Sequence, residues 1–287
     1  MEKELENIAR YIAWALDRNN AYAARIEISK IIEAYAGDPR RLEPFGFKVC
    51  SQNDEDGIVQ EIFRRLNIKN GRFCEIGVEN GLECNSLYLL HKGWTGCWIE
   101  GSESHTNFIQ QKFASVINRR LHVIKEMVTS ENINNLLAQA TKDHSQEIDF
   151  FSIDIDGNDI YIFESMSCAP KVVCIEYNAK FPGDIAKQQK YEPTKPWGRT
   201  DYFGASLKAI AAVAARKNYR LVGTNITGIN AFFVRNDLAG DYFCENSTSE
   251  YLHNPPRYWL QLDHYRSIGH PADFGPYVDF EDDSIAR

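Results

Sequence analysis

The chain has 287 residues, of which 44% are hydrophobic and 25% charged, and it carries a formal net charge of −8 at pH 7. That is the make-up of a globular chain forming one large domain or two small ones, and its acidity argues against nucleic acid as the main partner, because phosphate backbones call for a basic face. No apolar run nears the ~20 residues that span a bilayer, and the start Met1-Glu2-Lys3-Glu4 is too polar for a signal peptide, so no membrane and a cytoplasmic location are expected.

Apolar residues at Leu5, Ile8, Ile12, Ala15 and Leu16, then at Ile28, Ile31, Ile32 and Tyr35, repeat with helical spacing on either side of Arg18-Asn19-Asn20. The reading is a helical hairpin over residues 1–45 that ends at Gly37-Asp38-Pro39 and serves as a lid, a packing arm or a contact between copies in a homo-oligomer. A helix is expected over 52–66, opening with Asp54, Glu55 and Asp56, acids that suit the positive end of a helix. Strands are then expected at 73–77, 96–100, 122–128, 148–154 and 171–177, with helices near 82–91, 105–118, 131–141 and 159–165. Such alternation predicts a parallel sheet with helices on both faces. After a helix over 205–217, the runs Tyr219–Val222 and Ala231–Arg235 are joined too tightly for a crossover and should pair antiparallel. Residues 241–287 lack periodicity and read as a tail wrapping the domain of residues 46–240. The seven cysteines contain no C-x-x-C pair and read as buried reduced thiols, not as disulfides or a zinc site.

The first βαβ unit is the most informative segment. Phe73-Cys74-Glu75-Ile76 breaks into a turn with Gly77 and Gly81, and the second strand ends in Glu100. In such units glycines admit a ligand close to the backbone, and an acid at the second strand end accepts hydrogen bonds from a ribose diol. A dinucleotide would place pyrophosphate in this turn, yet the turn carries Glu75 and Glu79 and lacks the full glycine spacing. Carboxylates repel phosphate but suit the ammonium and sulfonium of S-adenosylmethionine.

Ser51-Gln52-Asn53-Asp54-Glu55-Asp56-Gly57, Glu75-Ile76-Gly77, Gly93-Trp94-Thr95-Gly96, Ile99-Glu100 and Ser152-Ile153-Asp154-Ile155-Asp156-Gly157 together resemble FkbM-type class I methyltransferases over roughly residues 50–235. The resemblance implies a Rossmann-like class I methyltransferase fold, an α/β architecture with a seven-stranded mixed sheet. It also implies S-adenosylmethionine as donor and a small-molecule acceptor, a hydroxyl of a sugar or sugar nucleotide. Carried onto this chain, Glu75 would face the donor's amino group, Gly77 and Gly81 its methionine part, and Glu100 its ribose. Glu126, Met127 and Val128 would edge the adenine, with Gln52 and Asp56 reaching in from the preceding helix. Plain surface charge is the competing reading for Glu126 and Asp56.

Asp154 and Asp156 stand at the end of the fourth strand, where ligands bind in open α/β sheets, followed by Asp159. Two apart in an extended strand, their side chains would point the same way, as would those of Glu176 and Asn178 one strand on. Converging oxygens suit Mg²⁺ or Mn²⁺, so Asp154, Asp156, Glu176 and Asn178 form a candidate metal site with Asp154 and Asp156 as candidate catalytic groups. Without a metal, Asp154 would take the acceptor's proton; His91, His105 and His122 are weaker bases. The loop bearing Tyr191, Lys195, Trp197, Arg199 and Tyr202 suits a carbohydrate acceptor. Two rivals stand beside this reading. Asp154-Ile155-Asp156-Gly157 also resembles a haloacid dehalogenase-type phosphatase motif, although Asn158 stands where Thr is usual; and a non-catalytic nucleotide-binding protein would leave the carboxylates unexplained.

Overall fold

The computed structural model describes residues 2–141, 147–193 and 197–260. Seven strands, β1 (Arg72–Ile76), β2 (Thr95–Glu100), β3 (Leu121–Lys125), β4 (Phe150–Ile153), β5 (Val172–Glu176), β6 (Tyr219–Thr224) and β7 (Asn230–Arg235), form one sheet in the order β3-β2-β1-β4-β5-β7-β6. The first five run parallel, and β7 is antiparallel to both β5 and β6. This is the mixed sheet of the Rossmann-like class I methyltransferase fold. The expected hairpin of β6 and β7 is present, with β7 as the inner strand.

The central strands are buried on both faces, which explains their nearly continuous apolar sequence. Alternate residues serve two cores. Cys74, Ile76, Phe151, Ile153, Val173 and Ile175 pack with α5 (Ile133–Ala140), α6 (Asp159–Ser165) and α7 (Leu207–Arg216). Phe73, Trp98, Phe150, Val172 and Cys174 face the layer of α2 (Glu55–Arg65), α3 (Leu87–His91) and α4 (Glu103–Lys112). Cys74, Cys84, Cys97, Cys174 and Cys244 are buried and Cys50 and Cys168 half-buried, all as free thiols.

The N-terminal segment is a single helix, α1 (Glu2–Tyr35), not the hairpin its sequence suggested. Arg18-Asn19-Asn20 holds neither glycine nor proline, and Arg18 stacks over the rings of Trp14, one turn before it, and Tyr22, one turn after. These contacts bridge the expected break. Residues 249–260 pack back on the domain through Tyr177 Oη donating to Asn254 O and Asn254 Nδ2 donating to Thr224 Oγ1. The rest of the expected tail, from residue 261, lies outside the described residues.

Candidate active site and donor cleft

At the carboxyl ends of β1, β2, β4 and β5 the sheet opens into a cleft of about 880 Å³. Parallel strands turn there into loops, which carry no obligation to the sheet ladder and are free to present side chains. Seven carboxylates line the cleft, from Glu79, Glu83, Glu100, Glu126, Asp154, Asp156 and Glu176, while no lysine or arginine among the described residues does. A phosphate ester would meet no cationic side chain of the described residues in such a lining.

On the β1–β2 side, Gly77 adopts φ +78°, and its N–H donates to Ile99 O at 3.1 Å. Glu100, at the end of β2, accepts from Glu79 N at 2.9 Å through one oxygen and from Ser102 N at 2.7 Å through the other. Each oxygen retains a second lone pair toward the cleft, enough to receive a diol. Met127, 61% exposed, lines the cleft with Glu126, buried Val128 and Gln52. The structure therefore brings together Gln52, Gly77, Glu100, Glu126, Met127 and Val128.

Three expected donor contacts are placed elsewhere. Glu75 has the same strand parity as Phe73, so it points into the α2–α4 layer instead of the cleft. There its carboxylate accepts from Asn85 N and Ser86 N, each at 2.8 Å, anchoring the start of α3. Burial pushes its pKa up, and these hydrogen bonds pull it back. Asp56 is buried as well and accepts through Oδ2 from Val49, Cys50 and Ser51 N, at 2.7, 2.6 and 2.9 Å, which ties the preceding loop to α2. Gly81 serves packing: a Cβ there would lie 2.7 Å from the indole of Trp98.

On the β4–β5 side, Asp154, Asp156 and Glu176 each offer a carboxylate oxygen, and these oxygens lie within 4.8 Å of one another. They do not converge by strand parity. β4 ends at Ile153, and Asp156 sits in a left-handed turn at φ +56° that swings its carboxylate back toward Asp154. Such a backbone is uncommon outside glycine, with Asp and Asn tolerating it best. Asp159 stabilises the turn by accepting from Ile155 N at 2.9 Å and Gly157 N at 2.8 Å. Burial raises Asp154 well above the usual carboxylate range, reinforced by the charges of Asp159 and Asp156. Burial and Asp154 do the same to Glu176. Asp156 is raised by burial and by Glu79.

Asn178 lies two residues beyond the end of β5 and does not join this group, because its side-chain amide is used elsewhere. Its Nδ2 donates to Asp201 O and Phe203 O, both at 2.9 Å, holding the following loop against the sheet. From that loop Trp197 and Phe203 line the cleft, their ring centroids 6.3 Å apart, and Tyr258 joins them from a later segment. Tyr191 is used structurally, its hydroxyl donating to Glu131 at 2.8 Å. Lys195 lies outside the described residues.

No family model matches the chain, and no curated protein matches it. Solved structures do. A Staphylococcus aureus protein provisionally assigned as a caffeoyl-CoA O-methyltransferase is similar at 15% identity and TM-score 0.45, over 73% of this chain and 99% of that one. An O-methyltransferase family protein from Burkholderia thailandensis is similar at 9% identity and TM-score 0.40, over 63% of this chain and 57% of that one. The O-methyltransferase TomG from Streptomyces achromogenes, solved with S-adenosylmethionine, follows at 15% and 0.38, over 65% and 82%.

Several cleft residues carried no usable signal in the sequence. Glu83 stood in a loop with nothing to single it out, and Tyr258 lies far along the chain in a segment without periodicity, whereas Glu79 was legible as a carboxylate of the glycine turn. His105, the one candidate histidine in the lining, places Nδ1 3.7 Å from Glu100, on the β1–β2 side. His91 and His122 lie outside the lining.

Proposed function

We propose that this protein transfers the methyl group of S-adenosylmethionine to a hydroxyl of a small carbohydrate-like acceptor, with Asp154, Asp156 and Glu176 holding a divalent cation beside it. The observation that carries the donor is the acidic, glycine-floored cleft at the strand ends, where carboxylates would meet an ammonium and a sulfonium with no competing cationic side chain among the described residues. Glu100 would hold the ribose diol, and Val128 and Met127 would flank the adenine. When bound, the donor supplies an electrophilic methyl group and the cation lowers the pKa of the hydroxyl.

The chain's own contribution is positioning and charge. Trp197, Phe203 and Tyr258 form a wall on which an apolar sugar face can stack, and the FkbM-type enzymes that the motifs around Glu75, Glu100 and Asp154 resemble mostly methylate hydroxyls of sugars or natural products. The carboxylate trio fits a hard cation in donor type, and Glu176 Oε2 is buried with no hydrogen-bond partner. A buried acceptor left unpaired is costly, and a bound cation or a retained proton would relieve it. The raised pKa of Asp154 favours a second, metal-free version, in which this carboxylate takes the proton of the acceptor hydroxyl.

Isothermal titration with S-adenosylhomocysteine and with NAD tests the donor: binding of the first and not the second is expected, and the reverse overturns the reading. Methyl transfer from labelled donor to a panel of monosaccharides, glycosides and sugar nucleotides tests the acceptor. Running the panel in EDTA and then with Mg²⁺ or Mn²⁺ separates the two versions.

A further inference from the structure

The first half of α1 stands away from the domain. Residues 3–20 are exposed along their length save for half-buried Ala15 and Asp17, although they include Leu5 at 62%, Ile8 at 55% and Ile12 at 51% exposure. At ~1.5 Å per residue this is about 27 Å of helix whose apolar side chains are left exposed by the described residues. Isolated helices of such length are marginal in water. The second half is held: Ala21 and Ala24 are buried, Ile28, Ile31 and Tyr35 half-buried, Tyr35 Oη donates to Asn254 Oδ1 at 3.1 Å, and Trp259 Nε1 donates to Glu27 at 3.1 Å.

The two faces of α1 follow different registers. The held face steps through 21, 24, 28, 31 and 35. Offset from it by two residues, about 200° around the helix, runs Leu5, Ile8, Ile12, Ala15, Asn19, Tyr22 and Ile26, in unbroken steps of three and four. That stripe is the a/d seam of a coiled coil, on the side turned away from the domain.

We infer that α1 pairs antiparallel with α1 of a second copy of this chain, making the protein a homodimer. Charge chooses the orientation. With Leu5 opposite Tyr22, Ile8 opposite Asn19 and Ile12 opposite Ala15, the flanking positions set Glu4 beside Arg25 of the second copy and Tyr11 beside Arg18 of the second copy. The first is an ion pair, and the second adds a ring to the stack that Arg18 already makes with Trp14 and Tyr22. A parallel pairing would instead bring Arg25 beside Lys30 of the second copy. Asn19 is the one polar residue in the seam between Leu5 and Tyr22, and it penalises shifted registers.

Sedimentation equilibrium of the full chain at micromolar concentrations tests this. The expected results are a dimer for the wild type and a monomer for the Ile8→Glu, Ile12→Glu double variant. Circular dichroism and thermal melting should show the domain still folded, since both positions are exposed. Arg25→Glu and Glu4→Arg should each weaken dimerisation about tenfold, and combining them should restore it. A monomeric wild type, a dimer that survives the Ile8 and Ile12 changes, or a failed rescue by the combined charge swap would overturn the proposal.

Discussion

Gly77 lies so close to Asp154 that a Cβ on the glycine would sit 1.7 Å from the aspartate's carbonyl oxygen. One peptide thus touches both halves of the cleft, since Gly77 N–H also donates to Ile99 O at 3.1 Å, just before Glu100. The glycine turn on the β1–β2 side and the edge of the carboxylate trio cannot be displaced separately.

Gly77→Ala is expected to destabilise the fold by at least about 1–3 kcal/mol, because alanine is strained at φ +78° and must also push Asp154 away. Urea denaturation gives the stability change. Titration with S-adenosylhomocysteine should show affinity reduced by about tenfold or more, equivalent to ~1.4 kcal/mol. Unchanged stability and affinity would mean that the strand-end contact is not tight.

Glu75 and Glu100 should separate stability from binding. Glu75→Ala strips the acceptor from Asn85 N and Ser86 N and should cost about 1–3 kcal/mol of stability. Glu100→Ala should weaken S-adenosylhomocysteine binding by about 1–3 kcal/mol, with a smaller loss of stability from the freed Glu79 and Ser102 amides. Paired melts and titrations on both variants read the contrast. Equal binding losses with equal stability losses would remove Glu100 from the donor site.

The carboxylate trio predicts saturable Mn²⁺ binding, read by paramagnetic resonance of the free ion, in the wild type. Glu176→Gln and Asp156→Asn should each reduce it about tenfold or more. Equal Mn²⁺ uptake by wild type and both variants would leave only the proton-accepting role of Asp154.

Asp54 and Asp56 make stability fall with rising pH. Burial pushes Asp54 up to about 8 and Asp56 up to about 6, both from an ordinary 3.8. The folded chain therefore holds protons that the unfolded chain releases, so their contribution is complete below about pH 4 and is lost as pH rises through 6 and 8. Carboxylates lowered by pairing, such as Glu61 beside Arg64 and Arg65, act only in the acid range below their ordinary 4.5. Thermal melts should therefore show a higher midpoint at pH 5.5 than at pH 8.5. Asp54→Asn should flatten the upper part of that slope, and a variant that keeps the wild-type pH dependence would contradict the burial of Asp54.

Local patterns in the chain were enough to determine the parallel βα repeats, the reversed last pair and the strand ends where ligands gather, because apolar periodicity and glycine turns are short-range signals. They placed Gly77, Glu100 and Asp154 by position alone. The direction of a side chain at a strand end is set by parity and by which backbone amides lie within reach, and those come from distant segments. Glu75 was therefore drawn inward by Asn85 and Ser86, Asp56 by the loop from Val49 to Ser51, and Asn178 by Asp201 and Phe203. Asp156 reached Asp154 through a left-handed turn and not through an extended strand. For α1 the reverse held: the two apolar runs were visible in the sequence, but only the tertiary structure decided that both belong to one continuous helix, because the stacking of Arg18 on Trp14 and Tyr22 carries it through Asn19 and Asn20 without a break.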